Sequence, residues 1–140
     1  MNLAMADIIK TAATNYKAPK KHMCKYCDRG FVKETTLLAH MCESKRRWEQ
    51  KDEPHVRLGQ QAYIIFFKQT QPNSNKLKYA DFVKSNYYNA FVKFGRFLID
   101  YRVVNTKRYI EYVINSKFKL DRWCTEQYYL DWLAGYLKTE

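Results

Sequence analysis

The stretch CKYCDRGFVKETTLLAHMC, which runs from Cys24 to Cys42, decides the fold of the N-terminal part of the chain. Cys24 and Cys27 are separated by two residues, and His40 follows Cys27 after an interval of twelve. A C-x2-C turn allows two thiolates to approach one zinc ion, and a short helix can then bring a histidine to the same ion. A unit of about twenty-five residues buries too little apolar surface to fold alone, so metal binding would supply its folding free energy.

Two apolar residues, Phe31 and Leu37, lie between the cysteines and the histidine. Together with Cys24, Cys27 and His40 they have the usual spacing of the two-cysteine, two-histidine zinc-finger family, which this stretch resembles. The resemblance implies a ββα unit in which Phe31 and Leu37 form the small core that a bound Zn²⁺ holds together. Ordinary free thiols at the two cysteine positions are the alternative, but they would leave the placement of the two apolar residues unexplained.

The fourth zinc ligand is less regular than the first three. The family places it three to five residues after the histidine, where this chain reads SKR at positions 44–46, and none of these residues suits zinc. The nearest alternative is Cys42, which would complete the set with the two cysteines and His40. Because residues two apart on a regular helix point to nearly opposite faces, ligation by Cys42 requires the helix to end or unwind at His40. His22 and His55 remain alternative fourth ligands.

Nucleic-acid contacts in this family come from fixed positions around the finger helix. In this chain they are occupied by Lys33, Thr36 and Ala39. Lysine can donate to guanine, threonine is permissive and alanine offers only a methyl group, so base reading would be weak. One finger also spans about three base pairs, which favours contacts with the phosphate backbone. The residues expected to contact nucleic acid are Lys20, Lys21, Lys25, Lys33, Thr36, Lys45, Arg46 and Arg47.

The charge of the whole chain favours the same partner. Its 140 residues carry a formal net charge of +11, and six basic residues against one acidic residue lie between Tyr16 and Lys33. Such a charge attracts nucleic acid first, and acidic proteins or anionic membranes next. We expect DNA rather than RNA, a protein of the replication or transcription machinery as a further partner, and no membrane partner.

The composition indicates a folded chain in a reducing compartment. A hydrophobic content of 46% and an aromatic content of 16% argue against disorder. The four cysteines read better as metal ligands than as a disulfide framework, with Cys124 a small buried hydrophobe. The first residues lack the pattern of a secretory signal, and no run reaches the length of a membrane span. We therefore expect a cytoplasmic protein.

Three segments are predicted along the chain. Residues 1–22 form an N-terminal segment and basic linker, 23–50 the zinc finger with a basic helical extension, and 56–140 a helical domain. Residues 2–15 could form an amphipathic helix that is too short to be stable alone. The predicted fold class is thus mostly α, with an N-terminal ββα-type zinc finger followed by a small all-helical domain.

Apolar periodicity predicts about four helices with short connections in the C-terminal part. The predicted helices are Val56–Gln69, Lys78–Val103 with a break near Ser85, Thr106–Ile114 with Asn105 as its cap, and a last helix capped by Thr125. The residues expected to face the core in the second of them are Tyr87, Phe91, Phe94, Leu98 and Tyr101. Neighbouring tyrosines such as Tyr87 and Tyr88 cannot both face inward, which leaves some rings for base stacking or a partner surface.

No catalytic set is recognisable in the sequence. The chain has three histidines, and it shows neither a glycine-rich phosphate loop nor a nucleophile elbow. We therefore expect a protein that is not an enzyme.

The phrase HMCKYCDRGFVKETTLLAHMCESKRR and the abundance of Lys, Tyr, Phe and Asn are similar to small proteins of T4-like tailed phages. This resemblance implies the cytoplasm of an infected bacterium, or a virion, as the location. The leading hypothesis is a zinc-finger nucleic-acid-binding accessory protein. The alternative is a structural or docking protein, in which zinc only stabilises the fold and the basic surface binds an acidic protein.

Overall fold

The N-terminal part of the molecule is a short hairpin followed by a short helix. The computed structural model describes residues 19–139, so the helix predicted for residues 2–15 lies outside the described residues. Strand β1 (His22–Met23) pairs antiparallel with β2 (Gly30–Phe31), and helix α1 (Glu34–Ala39) follows. The predicted ββα start is confirmed.

The described residues divide into two compact units, and the boundary falls between Lys45 and Arg46. We call residues 19–45 the finger and residues 46–139 the helical unit. The boundary lies inside helix α2 (Glu43–Glu49), so the predicted basic extension is shared between the two units.

The helical unit contains five further α-helices and one 3-10 turn. They are α3 (Pro54–Thr70), α4 (Tyr79–Lys84), α5 (Tyr88–Asp100), α6 (Thr106–Asn115), a 3-10 turn (Leu120–Arg122) and α7 (Glu126–Thr139). The mostly helical fold class is confirmed, and so is the break at Ser85, which ends α4. Among the described residues, none of the helices combines the length and the apolar character needed to cross a membrane.

Two predicted helix caps have different outcomes. The Asn105 side chain accepts a hydrogen bond from the backbone N–H of Arg108 at 3.2 Å, so the predicted cap of α6 is confirmed. Thr125 directly precedes α7, but its hydroxyl donates backward to the carbonyl of Arg122 at 2.6 Å. The preceding 3-10 turn brings that carbonyl within reach, and the hydroxyl therefore closes the turn as well as standing before the helix.

The core of the helical unit is largely aromatic. Phe82, Phe91, Phe94, Tyr109 and Trp123 are almost completely buried, and their rings meet mostly at steep angles. Edge-to-face packing of this kind is favoured by the charge distribution of aromatic rings and adds to the free energy gained by burial.

The predicted core face of α5 is correct in its middle and wrong at both ends. Phe91, Phe94 and Leu98 are buried, whereas Tyr87 and Tyr101 are 58% and 42% exposed. The helix begins one residue later than the stripe assumed, so Tyr88 takes the inward position at the start of α5. The chain turn after α4 fixes this register, and it leaves the Tyr87 ring at the surface.

Candidate metal centre

The hairpin turn brings the first two cysteines together. The Cys24 N–H donates to the Arg29 carbonyl at 2.8 Å, and the Asp28 N–H donates back to the Cys24 carbonyl at 2.8 Å. Asp28 has a φ of 62°, in the left-handed region that aspartate tolerates better than most residues. These contacts close the loop between β1 and β2, so Cys24 and Cys27 project toward the same point.

The end of α1 positions the other two candidate ligands. The helix ends at Ala39, and His40 has an extended backbone with ψ of 129°. Its N–H donates to the Leu37 carbonyl at 3.0 Å, which closes the last turn. The chain therefore leaves the helix at His40 and turns back before α2. This is the local change that ligation by Cys42 requires, and it lets residues two apart in sequence face one point.

The four side chains form one cluster that could hold a metal ion. The ligand atoms of Cys24, Cys27, His40 and Cys42 all lie within 4.8 Å of one another. The Sγ atoms of Cys24 and Cys42 are 3.9 Å apart, and Cys27 Sγ lies 3.5 Å from His40 Nε2. Three sulfurs and one imidazole nitrogen converge here, a donor set that soft and borderline divalent metals prefer.

The thiols of the cluster have unequal acidity. Burial raises the pKa of Cys24, but hydrogen bonds from the backbone N–H groups of Tyr26 and Cys27 and from neighbouring thiols lower it below its ordinary value. A backbone hydrogen bond at Arg29 lowers the pKa of Cys27, but desolvation and the nearby Cys24 and Cys42 thiols outweigh it and raise that pKa. Close thiols resist simultaneous ionisation without a cation, and a bound metal would remove that resistance.

Further contacts orient the ligands. The Lys45 backbone N–H donates to Cys42 Sγ at 3.3 Å, and the Lys45 ammonium donates to the His40 carbonyl at 3.1 Å. The rings of Phe31 and His40 lie 4.7 Å apart, and the Arg29 guanidinium lies over the Phe31 ring at 5.5 Å. Such outer contacts fix the direction in which a ligand points and commonly support metal affinity.

Neither alternative histidine belongs to the cluster. His22 lies in β1 opposite Phe31. His55 lies at the start of α3, where its Nε2 is 3.3 Å from Glu53 and 3.2 Å from Arg96. Within the described part of the chain, Cys42 is therefore the residue that completes the group with Cys24, Cys27 and His40.

The residues predicted to contact nucleic acid have different surroundings. Lys20, Lys21, Lys25, Lys33 and Thr36 are all exposed on the finger. Lys33 directly precedes α1, and Thr36 lies one turn further along the same face. These five residues are thus accessible to solvent. Their contact with nucleic acid stays a prediction.

The three basic residues of α2 do not behave alike. Arg46 is exposed, whereas Lys45 is half-buried and bonded to the His40 carbonyl. Arg47 is bonded inside the helical unit: its guanidinium donates to the Val83 carbonyl at 2.6 Å and lies over the Tyr88 ring at 4.3 Å. These internal contacts occupy the side chain, so Arg47 fits its predicted phosphate contact less well than Arg46 does.

An apolar groove on the finger was not predicted from the sequence. It is a cavity of about 280 Å³ beside Cys24 and His40, and Met23, Leu37 and Leu38 line it. Met23 is 53% exposed and Leu38 is 71% exposed. The only sign of this groove in the sequence was the pair Leu37 and Leu38. Two neighbouring positions on a short helix cannot both face the core, so one of these leucines had to be exposed.

Comparison with models of protein families, with curated proteins and with solved structures gave no match for this chain. Its function is therefore inferred from the geometry of the chain itself.

Proposed function

We propose that this protein is a non-enzymatic accessory protein that binds nucleic acid through a finger stabilised by Zn²⁺. The observation that carries the proposal is the convergence of three cysteines and one histidine on one point, in a finger that also exposes Lys20, Lys21, Lys25 and Lys33. A Cys₃His set is a recognised structural zinc site with all four positions filled by protein. A closed site of this kind leaves no position for a substrate, so its role is to hold the finger in shape.

Two of the distances in the cluster fit a tetrahedral zinc ion. Zn–S bonds of about 2.3 Å place two sulfurs about 3.8 Å apart, and a Zn–N bond of about 2.0–2.1 Å places a sulfur about 3.5 Å from the nitrogen. The corresponding separations are 3.9 Å between Cys24 and Cys42 and 3.5 Å between Cys27 and His40. These two pairs are therefore already at the separation that zinc requires, and all four ligand atoms lie within 4.8 Å of one another.

The exposed lysines of the finger support contact with phosphates. Lys20, Lys21, Lys25 and Lys33 are all exposed, and the finger carries few acidic side chains to oppose them. Base reading would remain weak because Thr36 and Ala39 occupy the other contact positions on α1. We therefore expect affinity for the nucleic-acid backbone, with DNA as the first candidate and little sequence preference.

A salt-dependent titration tests this proposal. The zinc-loaded protein is titrated against duplex DNA between about 50 and 200 mM salt, where each neutralised phosphate steepens the loss of affinity. The test variant replaces Lys20, Lys21, Lys25 and Lys33 with alanine. The control variant removes the same charge from exposed lysines of the helical unit: Lys68, Lys107, Lys119 and Lys138.

We expect the finger variant to flatten the salt dependence by about one unit of slope for each phosphate that the protein no longer neutralises. The control variant should keep most of that slope. Equal reductions in the two variants would show that only the net charge matters. Binding that is indifferent to salt would overturn the proposal.

A second candidate function is favoured by the apolar groove on the finger. Thr36 and Leu38 are two residues apart on α1, so Leu38 and the groove lie on a different face of this helix from Thr36. Two other predicted contact residues, Lys25 and Lys45, line the groove itself. Exposed methionine and leucine side chains, with Lys25 and Lys45 at the groove, suit an apolar partner segment that carries acidic residues. Two results together would favour binding of such a partner. The protein would not bind nucleic acid at low salt, and it would bind a partner that the Leu38→Glu variant releases.

A further inference from the structure

The helical unit contains a cavity whose lining combines aromatic and basic side chains. The cavity has a volume of about 410 Å³ and lies between α3, the loop after it and the turn before α5. Its aromatic residues are Tyr63, Phe67 and Tyr87, and its lysines are Lys76 and Lys84. We call it the Tyr87 cleft. Its size lies within the usual range for small-ligand sites.

Tyr87 gives the cleft an accessible ring. Its side chain is 58% exposed because Tyr88, the next residue, takes the buried position at the start of α5. Within residues 19–139, Tyr87 has no contact with another aromatic ring, although most aromatic residues of the helical unit have such contacts. A large ring held at the rim of a cavity provides a flat apolar face for a planar ligand.

The floor of the cleft is firmly held. Tyr63 and Phe67 lie one turn apart on α3, and their ring centroids are 4.6 Å apart. The Tyr63 hydroxyl donates to the Lys76 carbonyl at 2.8 Å, which ties the loop between α3 and α4 to the helix. The Lys76 backbone is thereby fixed at the cleft, so less ordering would be needed when a ligand binds.

The polar groups of the cleft suit an anion. Ser74 Oγ accepts the Lys76 N–H at 3.3 Å, and Ser85 Oγ accepts the Tyr87 N–H at 3.1 Å. Among the described residues, neither hydroxyl donates a hydrogen bond, so the hydrogen of each is available to a ligand. Two hydroxyl donors therefore join the two lysine side chains around the cavity.

One carboxylate lines the cleft, and the backbone partly satisfies it. Asp81 Oδ2 accepts the Lys78 N–H at 3.2 Å, at the start of α4. Lys76 and Lys84 leave the cleft lining with a net positive charge against this single acid.

A larger cleft between α6 and α7 differs from the Tyr87 cleft in its charge. It has a volume of about 670 Å³ and also carries aromatic residues, including Trp132 and Tyr136. Its charged residues are Glu111 and Asp131 against Arg108, so its net charge opposes an anionic ligand. Among these two cavities, the Tyr87 cleft is the one whose chemistry matches a phosphate together with a base.

We propose that the Tyr87 cleft binds a nucleotide of single-stranded nucleic acid, with the base stacked on Tyr87 and the phosphates held by Lys76 and Lys84. An exposed aromatic ring beside basic residues is the usual platform for unpaired bases. Bases in a duplex are stacked on one another and offer no free face to such a ring. The site lies in the helical unit and does not depend on the role proposed for the finger.

The test uses the full zinc-loaded chain and two labelled probes, a short oligothymidylate and the matching oligouridylate. The variants are Tyr87→Ala, Tyr87→Phe and the double replacement Lys76→Ala/Lys84→Ala. The matched control is Tyr101→Ala, which removes another partly exposed tyrosine at the opposite end of α5. A helix of that length separates the two tyrosines by about 20 Å.

We expect Tyr87→Ala to weaken binding of single strands by about five- to a hundredfold, the usual effect of removing one base-stacking ring. Tyr87→Phe keeps the ring and should keep the affinity, and Tyr101→Ala should bind like the unchanged protein. The double lysine variant should weaken binding and reduce its salt dependence. Comparing the two probes shows whether the site prefers DNA or RNA.

The outcomes separate this inference from the proposal for the finger. The proposal for the Tyr87 cleft is overturned if Tyr87→Ala leaves the affinity for single strands unchanged. It is also overturned if Tyr101→Ala reduces that affinity as much as Tyr87→Ala does. If Tyr87→Ala loses single-strand binding, the proposal for the cleft is supported. If the unchanged protein also fails to bind duplex DNA at low salt, the proposal that the finger binds nucleic acid loses its support. If single-strand binding is lost only in the finger variant, which lacks Lys20, Lys21, Lys25 and Lys33, the proposal for the cleft is likewise overturned.

Discussion

Cys42 occupies a position that the zinc-finger family which this stretch resembles does not normally use. It follows His40 by only two residues, so a continuous helix would point the two side chains apart. The extended backbone at His40 removes this conflict, and the Lys45 N–H then hydrogen-bonds to the sulfur. The single departure from the family pattern is thus accommodated by the conformation of one residue.

Replacing Cys42 with alanine should lower zinc affinity by more than the roughly 10- to 100-fold that removal of an outer-shell partner costs. Cys124→Ala is the matched control, because Cys124 lies in the helical unit outside the cluster. Competition with a chromophoric chelator measures both variants. If His22→Ala weakens zinc binding and Cys42→Ala does not, then the fourth ligand is misassigned.

Arg46 and Arg47 show how differently adjacent basic residues can be used. Arg46 is exposed to solvent. Arg47 donates to Val83 and lies over Tyr88, and its own carbonyl accepts a hydrogen bond from the Tyr79 hydroxyl at 2.5 Å. These contacts hold the end of α2 against α4 and α5 within the helical unit. Arg47 therefore contributes to the stability of the helical unit, whereas Arg46 is available for a partner at the surface.

Arg47→Ala should destabilise the helical unit by about 1–3 kcal/mol, since it removes a charged hydrogen bond and a cation–π contact. Arg46→Ala should change stability by less than about 0.5 kcal/mol, as is usual for exposed positions. Urea unfolding followed by tryptophan fluorescence measures both. Equal effects of the two variants would contradict this division of roles.

At the scale of elements, the close crossing of α3 and α5 organises the helical unit. A Cβ placed on Gly59 would lie 2.7 Å from the Phe91 carbonyl oxygen. A Cβ placed on Gly95 would collide with the His55 carbonyl and lie 2.8 Å from the Gly59 nitrogen. The two backbones approach so closely that only glycine fits at either position.

The glycines of the helical unit should therefore respond to alanine with opposite signs. Gly95→Ala should destabilise by about 1–3 kcal/mol or more, because backbone atoms cannot move aside without separating the helices. Gly135→Ala in α7 should stabilise by about 0.5–1 kcal/mol, since nothing lies within 4 Å of its added Cβ and alanine favours the helix. Chemical denaturation measures both, and a stabilising Gly95→Ala would disprove the close crossing.

At the scale of the whole molecule, the two units obtain their stability in different ways. The helical unit has an aromatic core that includes Phe91, Tyr109 and Trp123. In the finger, Phe31 and Leu37 are only half-buried, and Cys24 is the one buried hydrophobic residue among those described. A metal ion bound at the Cys24, Cys27, His40 and Cys42 cluster would therefore be the dominant source of stability for the finger, but not for the helical unit.

Removal of the metal should unfold the finger and spare the helical unit. The three tryptophans, Trp48, Trp123 and Trp132, all lie in the helical unit, so their fluorescence reports on that unit alone. After chelation we expect the tryptophan unfolding curve to persist, while the amide resonances of the finger collapse toward random-coil positions. Coincident loss of both signals would show that the units do not fold independently.

The sequence by itself determined the candidate ligands and most helices. Cys24, Cys27 and His40 are recognisable because their spacing is typical of ligands to one zinc ion, and this spacing is local in the chain. The helices are encoded by repeats of apolar residues, and the cap at Asn105 and the break at Ser85 are local signals as well. Because these signals depend on neighbours in the chain, they could be read before the fold was known.

The tertiary structure alone decided which of two neighbouring residues faces inward. Tyr88 is buried and Tyr87 is exposed, and Arg47 is bonded inside the helical unit while Arg46 is not. Adjacent positions on a helix differ by about 100°, so a small shift in where the helix begins exchanges their environments. That shift is set by packing between segments distant in sequence, and it is what places the ring of Tyr87 beside a cleft.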